Sequence, residues 1–103
     1  MEIKVSTVLK DFDGNPLLHP ESKEPWTVGL VLFTMALGAP PPGTSYTEAE
    51  QKDRFKTARD IHAALAEKRL VEISLEMLVT LKADIIRSFG PIVVGQIMPL
   101  IGG

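Results

Sequence analysis

Residues 74–101 read SLEMLVTLKADIIRSFGPIVVGQIMPLI, a polar cap, a periodic apolar face, a Gly-Pro stop and a bare apolar tail in one stretch. Ser74 is a ready N-cap because its hydroxyl can accept one of the free amides of a first helical turn. Leu75, Leu78, Val79, Leu81, Ile85, Ile86 and Phe89 then recur at helical spacing, which predicts an amphipathic helix over 74–89 with a broad apolar face. Gly90-Pro91 ends it, and Ile92 to Met98 suit two further turns before Pro99 and the Gly102-Gly103 end stop any regular element. A buried aliphatic side chain contributes roughly 1.5–3 kcal/mol. Losing the packing of Ile92, Val93, Val94, Ile97 and Met98 would therefore exceed the net stability usual for a small domain, so segment 91–101 is core or interface.

Working toward the N-terminus, Leu70 to Ile73 is a short apolar-alternating link, and the segment before it, 47–69, is a charged amphipathic helix. Thr47 and Glu50 form a capping box, and Phe55, Ala58, Ile61, His62 and Leu65 make one stripe among charged neighbours. Glu48 with Lys52 and Glu50 with Arg54 stand four residues apart in the favourable order. Residues 38–46, with Pro40, Pro41 and Pro42, form a stiff connector. Over 27–37, Val28, Val31, Leu32, Met35 and Ala36 follow helical spacing while Leu30, Phe33 and Leu37 fill the other side. A helix apolar nearly all round must be covered on both faces, which points to self-association or a partner. Residues 2–19 read as a small hairpin: Ile3 and Val5 alternate with polar neighbours, Asp13-Gly14 supplies the turn, and Leu17-Leu18 return. Residues 19–25 form a loop. The expected fold is a single mostly α (α+β) domain, an N-terminal hairpin followed by three to four helices.

A chain of 103 residues with 45% hydrophobic and 23% charged residues and net charge -2 belongs to the ordinary globular class. Thirteen acidic against eleven basic residues disfavour nucleic acid as the main partner. No cysteine is present, which removes disulfides, Cys-based zinc sites and thiol nucleophiles and suits a reducing compartment. The expectation is a cytoplasmic protein with neither a signal peptide nor a membrane span, since the apolar run at 28–39 is well short of the ~20 residues a bilayer needs.

Asp11, Asp13 and Asn15 match the opening of a calcium loop, but Gly14 stands at the fourth position where the motif wants its glycine at the sixth, and Ser22 falls at the twelfth, where it requires a bidentate Glu. A hairpin turn accounts for them better. His19 and His62 lack the spacing of a zinc site, no strained elbow marks a nucleophilic serine, and the proline-rich connector withdraws the amides a phosphate loop needs. Neither a catalytic residue, a metal site nor a cofactor is expected. The basic residues Lys52, Arg54, Lys56, Arg59, Lys68 and Arg69 are the one foothold for a nucleic-acid reading, diluted by Glu50, Asp53, Asp60 and Glu67.

The order of features resembles a group of small accessory and assembly proteins encoded by tailed bacteriophages and prophages. The segments that carry the resemblance are Leu9-Lys-Asp-Phe-Asp-Gly-Asn-Pro-Leu17, the Lys- and Arg-rich helix from Lys52, Val71-Glu-Ile-Ser-Leu-Glu76 and Phe89-Gly-Pro-Ile-Val-Val-Gly-Gln96. It implies a non-enzymatic role in virion assembly in the bacterial host cytoplasm, through protein–protein interaction with copies of itself and with other phage structural proteins. The expected interface residues are Trp26, Leu30, Phe33, Leu37, Ile92, Val93, Val94, Ile97 and Met98, with aromatic and Met side chains as anchors. The alternative is a small regulatory or nucleic-acid-binding module using helix 52–69.

Overall fold

The 28-residue C-terminal stretch forms two helices, α3 at Leu75–Ser88 and α4 at Pro91–Leu100, in a computed structural model that describes residues 1–102. Ser74 Oγ accepts the Met77 amide at 3.2 Å to start α3, and Pro91 opens α4 where its missing N–H costs nothing. Pro99 does not stop α4, contrary to expectation. It lies in the last turn, where only one bond is lost, and the helix runs on to Leu100.

The remaining elements are β1 at Glu2–Lys4, α1 at Val28–Ala36, α2 at Glu48–Glu67 and β2 at Leu70–Glu72. The domain is mostly α with a minor β part, as the periodicities predict. The capping box of α2 is present in both directions, Glu50 N–H to Thr47 Oγ1 and Thr47 N–H to Glu50 Oε1, each at 3.1 Å. Lys68 closes the helix in the left-handed region at φ 54°.

The N-terminal β part is wired differently from a simple hairpin over 2–19. β1 pairs antiparallel with β2, Ile3 opposite Val71, so the link at 70–73 is a strand whose apolar residue faces the core beside Ile3. The predicted reversal does form: Asp11 N–H donates to the Asn15 carbonyl at 2.8 Å and Gly14 takes φ +84°. Its return joins a closed ring of three segments. Leu17 N–H donates to Leu9, Trp26 N–H to Leu17, and Leu9 N–H to Trp26, at 2.9, 2.7 and 2.8 Å. Each segment donates to the next, so three short extended pieces satisfy one another.

α1 lies at the centre, against both α2 and α3. Its N-terminus meets the extended chain after β1, where Val28 N–H reaches the Thr7 carbonyl and Gly29 N–H the Val5 carbonyl, each at 2.9 Å. A Cβ on Gly29 would stand 2.6 Å from Val5 Cβ and 2.7 Å from Leu65 Cδ2, so only glycine fits this crossing. The chain itself covers one side of α1, while Leu30, Phe33 and Met35 on the other are half-buried and Leu37 is exposed. Val28, Val31, Leu32 and Ala36 are buried inside the single chain, together with Ile61, Leu78, Leu81, Ile85, Val93, Ile97 and Ile101.

Candidate interaction surface

The expected interface residues divide into three groups. Val93 and Ile97 are buried within the chain, and the interface reading of these two gives way to core. Phe33, Ile92, Val94 and Met98 are half-buried on the margin of the core, as is Trp26, whose ring meets Phe89 edge-on at 5.4 Å and lies tilted on His19 at 4.9 Å. Leu30 is half-buried, and Leu37 is exposed beside Phe55 across a recess between the C-terminus of α1 and α2.

The outward apolar residues that periodicity misplaced are more numerous. Phe55 was expected on the inner stripe of α2 but stands outside, as does His62. Ala58 and Ile61 keep their places on the inner face, while Arg54 and Ala64 join it in place of Phe55 and His62. The cause is electrostatic. Arg54, only 6% exposed, sets Nη2 3.0 Å from Asp84 Oδ2 on α3, donates Nη1 to the Met35 carbonyl at 3.1 Å, and lies 4.2 Å from the centre of the Tyr46 ring. Arg87 donates to the other Asp84 oxygen at 2.8 Å. The expected Glu50–Arg54 surface pair is therefore not the main partnership of either residue. The Glu50 carboxyl is held below its ordinary value of 4.5 chiefly by the Thr47 amide, then by the Thr47 hydroxyl, with Arg54 a lesser influence. Lys52 does pair with Glu48, at 3.3 Å on the surface.

α3 splits the broad apolar face read from its sequence. Leu78, Leu81 and Ile85 are buried, while Leu75, Val79 and Ile86 point outward, 66%, 67% and 61% exposed. Phe12, at the tip of the Asp11–Asn15 turn, is 96% exposed. The turn beneath it is held by Asp11 Oδ1, which accepts the amides of Asp13 and Asn15, each at 2.9 Å. That is a turn-forming task for the carboxylate that the calcium-loop comparison singled out.

A cleft of about 310 Å³ lies between α2 and the start of α3, with Glu50, Asp53, Asp60, Glu72 and Glu76 along it. Two of its hydroxyls are already engaged: Ser74 caps α3, and Thr80 donates to the Glu76 carbonyl at 3.1 Å. Neither histidine lines it. His19 accepts the Glu21 amide at 3.2 Å, and His62 lies 5.8 Å from the Phe33 ring. Among the described residues no three His, Asp or Glu side chains are placed to hold a metal ion, and no helix is long and apolar enough to cross a membrane. No family model, curated protein or solved structure matches the chain.

Proposed function

We propose that this chain is a non-enzymatic protein–protein interaction protein that works as an oligomer, an accessory or particle-assembly factor of a phage or prophage acting in the host cytoplasm. The observation that carries the reading is the set of large apolar side chains left outside a core that is already filled, Phe12, Leu37, Phe55, Leu75, Val79 and Ile86 among them. Exposed apolar surface grouped on particular elements marks contact sites, because its removal from water by a partner is the available gain. The phage context rests on the sequence resemblance. The test is the solution mass by light scattering over a range of concentration and salt. A discrete, salt-insensitive oligomer is expected, and a monomer at every concentration removes the oligomeric part. Sedimentation of the protein with purified particles from a producing host tests the assembly part, and its absence from both particles and their precursors removes that.

One arrangement favours a second reading, a nucleic-acid-binding module. Lys52, Phe55, Lys56 and Arg59 follow i, i+3, i+4, i+7 spacing along the exposed side of α2, cations flanking an aromatic ring. Arg54 no longer belongs to that basic group, being committed to Asp84. Binding to a DNA duplex that weakens steeply with salt supports this reading, and no binding at low salt eliminates it.

A further inference from the structure

We infer that the exposed apolar edge of α3 is the contact with a second copy of the chain, the two α3 helices packing antiparallel about a two-fold axis that passes near Thr80 and Leu81. This deepens the oligomeric reading above and rests on it. Leu75, Val79, Lys82 and Ile86 follow the 4-3-4 spacing of a two-helix seam and lie within about 60° of one another around a helix of 3.6 residues per turn. The three aliphatic members are the exposed ones, and the buried stripe of Leu78, Leu81 and Ile85 adjoins them, about a quarter-turn round the helix.

The occupant follows from the order of residues and charges. In the antiparallel register Leu75 of one copy meets Ile86 of the other and Val79 meets Lys82, so every seam layer contains an aliphatic residue. Lys82 is half-buried with Nζ beside the Gly102 turn, which leaves its methylene stem to cover Val79 of the second copy. One flank of the seam carries Glu76 at the N-terminal end and Arg87 at the C-terminal end. An antiparallel two-fold brings like flanks together with opposite ends adjacent, so Glu76 of each copy comes beside Arg87 of the other, twice. Parallel pairing would instead stack Lys82 on Lys82. The helix dipoles also favour the antiparallel arrangement.

The sequence has no cysteine, so engineered thiols report the register directly. In the full-length protein, Leu75→Cys/Ile86→Cys is expected to oxidise to a covalent dimer, while Leu75→Cys and Ile86→Cys alone do not, since the axis keeps identical positions apart. Eleven residues of helix separate the two thiols within one chain, roughly 16 Å, too far for an internal bridge. Val79→Arg is expected to halve the solution mass of a dimer and leave the melting temperature of the folded monomer unchanged, because Val79 touches solvent. A wild-type oligomer whose mass survives Val79→Arg, or crosslinking by either single cysteine, overturns this interface while the oligomeric reading stands. A wild-type monomer at all concentrations overturns both.

Discussion

Arg54 is the residue on which the interior geometry turns. A charge this deeply buried is tolerable only when it is paired and its donors are satisfied, and Asp84, the Met35 carbonyl and the Tyr46 ring meet that demand from three separate elements. The arrangement therefore fixes the rotation of α2 against α1 and α3. Arg54→Ala is expected to destabilise the fold by about 3–5 kcal/mol, since it leaves the Asp84 carboxylate buried with Arg87 alone. Urea unfolding measures it, and a loss under about 1 kcal/mol would mean that Arg54 is a bystander. Gly29 is the second decisive residue. Gly29→Ala forces a methyl to 2.6 Å from Val5 Cβ, with an expected cost of about 1–3 kcal/mol. Neither residue is legible in the sequence. Arg54 reads there as one more cation in a charged helix and Gly29 as an interruption of an apolar run, because what distinguishes them is a neighbour far away in the chain.

At the scale of elements, legibility follows the range of the interactions. Helix starts depend on residues three positions apart: Thr47 and Ser74 each cap as the sequence implies, and Thr27 Oγ1 starts α1 in the same way by accepting the Leu30 amide. The alternation that marks Glu2–Lys4 as half-buried is local too, and Ile3 is buried. Its partner is not local: Val71 lies beyond both α1 and α2, and nothing in a period-2 pattern names the strand it will join. The same limit applies to α3, where periodicity gives a wide apolar face without saying that Leu78, Leu81 and Ile85 take the core while Leu75, Val79 and Ile86 do not. The cap of α2 carries an acid-dependent prediction. The Glu50 carboxyl is lowered in the folded state, so its contribution to stability is complete above the ordinary value of 4.5 and is lost as pH falls through the lowered value. Melting temperatures of wild type and Glu50→Ala are therefore expected to converge in acid. A gap that stays constant down to the lowest pH at which both fold would mean that the capping carboxylate contributes nothing through its charge.

Across the whole molecule, α4 closes the core and also holds the N-terminal ring in place, two tasks the sequence ran together as core or interface. Val93, Ile97 and Ile101 enter the core, and on a neighbouring face Gln96 binds the backbone of Lys10, accepting its amide at 2.9 Å and donating to its carbonyl at 2.6 Å. The side-chain amide behaves there like one residue of a neighbouring strand, joining positions 10 and 96. The two attachments differ in strength. Ile97→Ala opens a fully buried site and is expected to cost about 2–5 kcal/mol, a large part of the 5–15 kcal/mol usual for a domain. Gln96→Ala removes the two exposed hydrogen bonds to Lys10 and one to the Ile92 carbonyl within α4, each contributing about 0.5–1.5 kcal/mol, and so is expected to weaken the ring without unfolding the helices. Hydrogen exchange separates these outcomes: Gln96→Ala should speed exchange of the Leu9, Leu17 and Trp26 amides selectively, whereas Ile97→Ala should lower protection throughout the core. If the ring amides exchanged no faster in Gln96→Ala, the three-way backbone pairing would be self-supporting and the link to α4 incidental.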